Sequence, residues 1–159
     1  MKKTLLLFAL GVAFAVVFAR FDFVSAPVAR QVTTISIEDK AVFNAFVSES
    51  DYDRAKGLGG VDFLPENGAM LFVFGEEGDI SPSYSGIWMK DMKFPIDIFW
   101  IGTEEDGGRT IVGIKERATP ESYPEVFYPD RPASFVLEVP AGSAEKYGIK
   151  IGDQVKFGL

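Results

Sequence analysis

The chain contains no cysteine and no histidine. The lack of cysteine excludes a disulfide framework, a thiol nucleophile and a lipid-modified N-terminal cysteine. The lack of histidine excludes every catalytic triad that uses an imidazole, and without either residue an ordinary structural zinc site cannot form. We therefore expect neither a bound metal nor a cofactor, and we find no standard catalytic set.

Positive charge is also scarce. Sixteen basic residues stand against 23 acidic ones, which gives a formal net charge of −7. Residues 31–159 alone hold 12 basic and 22 acidic residues, so this part carries −10. A surface this acidic repels phosphate backbones and anionic lipid headgroups, which argues against nucleic-acid binding and against docking through a basic patch. Its ordinary role is solubility.

One long apolar run stands at the N-terminus. Lys2 and Lys3 precede residues 4–19, which contain no charged side chain. As a helix these 16 residues reach roughly 24 Å, and the apolar stretch can extend further if Arg20 snorkels to the interface. We interpret residues 1–24 as an uncleaved membrane anchor, or alternatively as a cleaved signal peptide, followed by a linker over residues 25–31. Both interpretations place the rest of the chain on the extracytoplasmic side, tethered or secreted.

Residues 32–159 have the composition of one packed domain. The chain is 47% hydrophobic and includes 15 phenylalanines, which is ample material for a core. Alternating or continuous apolar runs predict seven or eight short strands, and capping patterns predict two small helices. We therefore predict a mainly β (β-rich α+β) domain, a compact barrel or sandwich. The predicted strands cover residues 32–37, 41–48, 69–74, 86–90, 96–101, 110–114, 134–139 and 154–157, and the predicted helices cover 50–56 and 143–147.

Between the predicted strands at residues 110–114 and 134–139 lies a segment rich in proline. Residues 117–132 contain four prolines and should form a long irregular excursion, which in compact domains is usually functional or mobile. Tyr123, Phe127 and Tyr128 on this excursion could line a groove, or could pin the loop to the body.

Six segments stand in order between residues 54 and 155: Arg54-Ala55-Lys56-Gly57-Leu58, residues 64–74, Trp88-Met89-Lys90, residues 95–101, residues 136–142 and Gly148-Ile149-Lys150-Ile151-Gly152-Asp153. Together they resemble the domain of unknown function 192 family. The resemblance implies a compact β-rich fold in a family whose members are commonly exported, and it implies no established reaction. The chain departs from the family pattern at residues 59–61, at Ala69, at Asp91-Met92, and in lacking a cysteine pair in the long loop.

Asp97 is a carboxylate within a run that otherwise contains only isoleucine, phenylalanine and tryptophan. A buried carboxylate needs a charged partner or several hydrogen-bond donors. It could act as a general acid or base or bind a cation. Alternatively, it could be structural and hold the turn at residues 91–95 through backbone N–H groups.

A second group of candidates could anchor an anionic or sugar ligand. Lys90 follows Trp88, Arg54 precedes a glycine-rich loop, and either cation beside an exposed tryptophan suits such a ligand. The alternative is an ion pair of Lys90 or Arg54 with Asp97 and a tryptophan in the core. The candidate ligand-binding residues are Arg54, Trp88, Lys90, Asp97 and Tyr123.

The remaining acidic residues offer weaker signals. Alternation along residues 134–139 predicts that Glu138 points outward to solvent. The loops at 76–79 and 104–107 do not match a calcium-binding pattern and should be solvated. The sequence as a whole predicts a membrane-tethered extracytoplasmic module that binds a small ligand or an envelope component. The alternatives are a glycan-directed hydrolase with Asp97 as base and Glu66 or Glu138 as acid, and a structural interaction module with a flat apolar surface.

Overall fold

A computed structural model describes residues 31–75 and 85–159, so the predicted anchor, residues 25–30 of the predicted linker and the acidic loop at 76–79 lie outside the described residues. The described chain is mainly β, as predicted, with nine strands and two short α-helices. The strands are β1 (Val32–Ile37), β2 (Ala41–Ser48), β3 (Gly68–Val73), β4 (Ile87–Trp88), β5 (Ile96–Thr103), β6 (Arg109–Ala118), β7 (Val126–Phe127), β8 (Phe135–Pro140) and β9 (Val155–Lys156); the helices are α1 (Asp51–Lys56) and α2 (Ser143–Tyr147).

Seven strands form one nearly closed, barrel-like sheet in the order β6-β5-β8-β3-β2-β1-β9. Neighbours are antiparallel except β2 and β3, which run parallel and are connected through α1. The two edge strands approach each other, because Thr110 bridges Gln154 and the N–H of Ile111 donates to the carbonyl of Asp153 at 3.0 Å. Closure of this kind removes the exposed edges that invite aggregation.

The sheet buries both of its faces, and each face has its own hydrophobic cluster. The inner cluster fills the barrel and includes Phe43, Leu71, Phe99 and Leu137. The outer cluster covers the opposite face of β3, β5 and β8 and includes Met70, Ile98, Trp100 and Val136. Because strand side chains alternate between faces, residues one apart in β5 and β8 belong to different clusters.

A second layer covers the outer cluster. It consists of the small β4–β7 sheet, in which Ile87 pairs with Phe127, together with the loop after α1, which contributes Leu58, Val61 and Leu64. The indole N–H of buried Trp100 donates to the carbonyl of Ser85 at 2.7 Å and so fixes the start of this layer on the sheet. The layer includes two strand residues from the proline-rich excursion, which is therefore less irregular than predicted: it contains a 3-10 turn (Pro120–Ser122) and β7.

The two helices end where the sequence signals predict. The Ser50 hydroxyl caps α1 by accepting the N–H of Asp53 at 3.1 Å, and the N–H of Gly57 closes the helix on the carbonyl of Asp53 at 2.8 Å. Gly148 closes α2 with φ of 63°, a left-handed conformation that glycine adopts without strain. Neither helix is long and apolar enough to span a bilayer, a finding limited to the residues that the structure describes.

Candidate ligand-binding cleft

A cleft of about 260 Å³ opens between the second layer and the outer face of the barrel. The end of α1 with the loop at residues 57–59 lines part of it, and Gly86, Ile87 and Trp88 with Val126 and Tyr128 line another part. Phe72 and Phe74 of the β3 end, with Lys90 and Met92, complete the sides, and Glu138 of β8 lies at the base. The proline-rich excursion contributes Val126 and Tyr128 to the cleft, whereas Phe127 packs in the outer cluster and so holds the excursion to the body of the domain.

Glu138 is buried, which corrects the prediction that it points outward to solvent. Its register partners are Met70 and Ile98, and its side chain is on the outer face, where the second layer covers it and leaves the residue 4% exposed. The side chain does lie on the outer face of the barrel, as the alternation predicts. The second layer separates this face from water. Its Oε2 has no hydrogen-bond partner among the described residues, and burial raises the pKa of Glu138 to about 8. At neutral pH this group is therefore largely a neutral carboxylic acid that can both donate and accept.

The open rim of the cleft carries a cation beside an indole. The Nζ of Lys90 lies 6.0 Å from the centre of the Trp88 ring, and Trp88 is 44% exposed. Lys90 has no ion pair within residues 31–75 and 85–159. An ammonium group and an accessible ring side by side are suited to contact the polar and apolar parts of one ligand.

Arg54 lines the same cleft, but its guanidinium group is already occupied. It donates to the carbonyl of Val73 at 2.7 Å and to the carbonyl of Glu49, and it pairs with Asp51. It also lies 5.6 Å from the centre of the Phe74 ring. Arg54 therefore joins α1 to the ends of β2 and β3 and shapes the wall of the cleft.

Glycines allow the chain segments that line the cleft, or lie beside it, to pack closely. The N–H of Gly60 donates to the carbonyl of Asp91 at 2.9 Å, and a Cβ on Gly59 would lie 2.8 Å from the Lys56 carbonyl oxygen and 3.2 Å from that of Lys90. A Cβ on Gly86 would lie 2.5 Å from the Tyr128 ring. Both approaches are therefore possible only for residues without a side chain.

Asp97 does not join this cleft. Its Oδ1 accepts the N–H groups of Arg117 at 2.8 Å and Gly142 at 3.0 Å, and its Oδ2 accepts the N–H of Ala144 at 2.9 Å. The fully buried carboxylate thus fixes the end of β6 and the start of α2. Of the two interpretations of Asp97 this geometry matches the structural one, although the N–H groups belong to residues 117, 142 and 144 and not to the turn at 91–95. Neither Arg54 nor Lys90 pairs with it.

Two other candidates also lie elsewhere. Tyr123 ends the 3-10 turn, is 46% exposed and does not line the cleft. Glu66 pairs with Lys146, which lowers the pKa of Glu66. Within the described part of the chain, no group of three or more acidic side chains is arranged to hold a metal ion.

Comparison with known proteins agrees with this architecture. The model of a family described as "Uncharacterized ACR", domain of unknown function 192 (DUF192), matches residues 33–157. The chain belongs to the DUF192 family. None of the curated proteins compared with it matches.

Two solved structures share the DUF192 fold of this chain. A protein of unknown function from Novosphingobium aromaticivorans DSM 12444 is 25% identical, with a TM-score of 0.66 over 82% of this chain and 89% of that one. A Sinorhizobium meliloti 1021 protein described as a "putative transcription regulator" is 26% identical, with a TM-score of 0.67 over 81% of this chain and 94% of that one.

Proposed function

We propose that this DUF192 protein is a membrane-tethered extracytoplasmic domain that binds a small ligand in the cleft above Glu138. The observation that carries the proposal is the cleft itself. A buried carboxyl group forms its base, with one oxygen that no described residue hydrogen-bonds, and a lysine that pairs with no described acid forms its rim beside an exposed tryptophan. Buried polar atoms are normally satisfied, and an exception at the base of a cleft is best explained by a ligand that completes its hydrogen bonds.

The tether rests on the sequence. Two lysines before an apolar run of 16 residues favour insertion with the chain's remainder outside the cytoplasm. In the membrane fraction of the native host we expect a protein that resists extraction at alkaline pH and whose intact mass includes residues 1–24. A mass that begins after residue 19 or later in a soluble extracytoplasmic fraction would contradict the tether and leave the binding proposal in place.

Two other functions have less support. A hydrolase with Asp97 as base and Glu66 or Glu138 as acid requires two carboxyl groups to face one cleft, but Asp97 lies on the inner face and its oxygens accept three backbone N–H groups. Binding of nucleic acid, a role in keeping with the S. meliloti protein's description, is disfavoured for this chain by its net charge of −7.

The two tryptophans of the chain provide a direct test. Full-length protein labelled with 5-fluorotryptophan in detergent micelles should give two fluorine resonances, one from Trp88 at the rim and one from Trp100, which is 2% exposed. Trp88→Phe assigns the signals. Titration with glucose, N-acetylglucosamine, glucuronate and 4-hydroxybenzamide should move the Trp88 resonance saturably with at least one compound while Trp100 stays in place. If no compound moves Trp88, or both signals move together, the proposal fails.

A further inference from the structure

The charge of the cleft is opposite to the charge of the domain around it. Among the described residues that line the cleft, three are cations, Arg54, Lys56 and Lys90, and one is an acid, Glu138. Residues 31–159 as a whole hold 12 basic and 22 acidic side chains. A local excess of cations in an acidic protein focuses positive potential on one site and attracts anions to it.

The two lysines that line the cleft can form an ion pair with an anionic ligand. Arg54 is engaged with Asp51 and two carbonyls, but neither Lys56 nor Lys90 has an ion pair within the described residues. Asp91, the acid next to Lys90 in sequence, does not line the cleft. Lys90 is the better placed of the two, because its Nζ is held beside the Trp88 ring.

The base of the cleft adds a hydrogen-bonding group without a competing charge. A carboxyl group that is protonated at neutral pH offers an O–H donor and a C=O acceptor to a hydroxyl or carbonyl group of a ligand. The apolar side chains between base and rim, Phe72, Phe74 and Met92, suit a ring or short hydrocarbon segment. A cleft of about 260 Å³ has room for a ligand of roughly ten non-hydrogen atoms.

We infer that the ligand is a small organic anion whose acid group pairs with Lys90, whose ring or chain lies against Trp88, and whose hydroxyl or carbonyl group meets the Glu138 carboxyl. This inference rests on the proposed function and names its ligand class. It also assigns separate tasks: Lys90 selects charge, Trp88 contributes apolar contact, and Glu138 selects a polar group at the far end of the ligand.

The test compares two probes that differ only in charge. 4-Hydroxybenzoate and 4-hydroxybenzamide have the same ring and phenol, and the carboxylate of the first replaces the neutral amide of the second. We expect the Trp88 fluorine resonance of the full-length protein to titrate with the carboxylate at a Kd roughly tenfold lower than with the amide. Lys90→Met should abolish this preference, whereas Lys93→Met should keep it, since Lys93 pairs with Asp62 and does not line the cleft. Glu138→Gln should weaken the binding of 4-hydroxybenzoate more than that of benzoate, which lacks the phenol.

Each other outcome overturns the inference. Equal affinity for the two probes, or a preference that survives Lys90→Met, shows that the cleft does not select anions. No shift of Trp88 with 4-hydroxybenzoate overturns the ligand class as well. If N-acetylglucosamine or glucose still moves Trp88 in that case, the proposed binding function stands and only its assignment to organic anions falls.

Discussion

Asp97 and Glu138 lie one register position apart on the adjacent strands β5 and β8, with their carboxyl groups on opposite faces of the sheet. The ladder pairs Asp97 with Val139 and Ile98 with Glu138. The Asp97 carboxylate has three N–H donors, whereas the Glu138 carboxyl has an oxygen without a partner in the described structure. The two buried acids, each within an apolar strand, therefore have different roles. Asp97 stabilises the fold, whereas Glu138 can hydrogen-bond to a ligand in the cleft.

Replacing Asp97 by asparagine should destabilise the protein. The amide has one acceptor oxygen instead of two and directs an NH₂ group toward backbone donors, so at least one buried N–H loses its partner. We expect a loss of about 2–4 kcal/mol in the free energy of unfolding, measured by urea denaturation. Asp106→Asn is the matched control, because exposed Asp106 accepts a single N–H, from Gly108 at 2.9 Å. A loss for Asp97→Asn no larger than that of the control would contradict the structural role.

The sequence predicted the strands well and the second layer poorly. Runs such as the one that became β3 are apolar throughout, which by itself indicates a strand buried on both sides. What covers the outer face could not be seen, because β4 and β7 are only two residues long each and depend on tertiary pairing of Ile87 with Phe127 and of Trp88 with Val126. The error over Glu138 has this cause, since a hidden layer turns an outward position into a buried one.

The residues of the candidate site could also be predicted only in part from the sequence. Arg54, Trp88 and Lys90 were identified from their residue types and do line one cleft, although their convergence needed the fold. Asp97, a candidate because it is a carboxylate inside an apolar strand, and Tyr123, a candidate as an aromatic residue of the proline-rich loop, lie elsewhere. Tyr128 was noted in the sequence only as a possible groove residue. The sequence signal for Glu138 is a glutamate inside an otherwise apolar strand. This signal indicates a buried carboxyl group only if both faces of the strand are covered.

Glu138 should make stability decrease as the pH rises. Its pKa is about 8 in the folded protein and near 4.5 when unfolded, so between these values the folded state holds a proton that the unfolded state has lost. The contribution is fully present below the unfolded pKa and is lost as the pH rises through the folded pKa, by up to about 1.4 kcal/mol per pH unit. Glu138→Gln should flatten this slope between about pH 5 and pH 8 and give the more stable protein near pH 9. Urea denaturation across that range measures it, with Glu66→Gln as a surface control. An unchanged slope in Glu138→Gln would show that the group is ionised in the fold.

Adding one methyl group at Gly59 should separate the glycine-rich loop from the turn at residues 89–92. The new Cβ would meet two backbone oxygens at 2.8 and 3.2 Å, and backbone cannot yield as a flexible side chain does. We expect Gly59→Ala to cost about 1–3 kcal/mol and to increase hydrogen exchange at Gly60, whose N–H bonds to Asp91. Gly158→Ala is the control, because a Cβ there has nothing within 4 Å and φ is not positive. Equal stability and equal exchange in the two variants would show that the loop does not depend on this close approach.

Arg109 should stabilise the closure of the barrel at the C-terminal segment. Its guanidinium carbon lies 4.2 Å from the centre of the Phe157 ring and 5.1 Å from that of Phe135, and its N–H donates to the Phe157 carbonyl at 2.9 Å. Those two rings also contact each other edge to face at 5.1 Å. Arg109→Met keeps much of the hydrocarbon and removes the charge and the donors, so we expect a loss of about 1–2 kcal/mol.

A double-mutant cycle with Phe157→Leu isolates the contact between the cation and the ring. We expect a coupling energy of about 0.5–1 kcal/mol between Arg109→Met and Phe157→Leu, and none between Arg131→Met and Phe157→Leu, since no contact joins the exposed Arg131 to that ring. Hydrogen exchange at Ile111, whose N–H bonds to Asp153, should rise in Arg109→Met because the junction between β6 and β9 opens more readily. Additive losses in the first cycle, with unchanged exchange at Ile111, would mean that the barrel closes without help from this arginine.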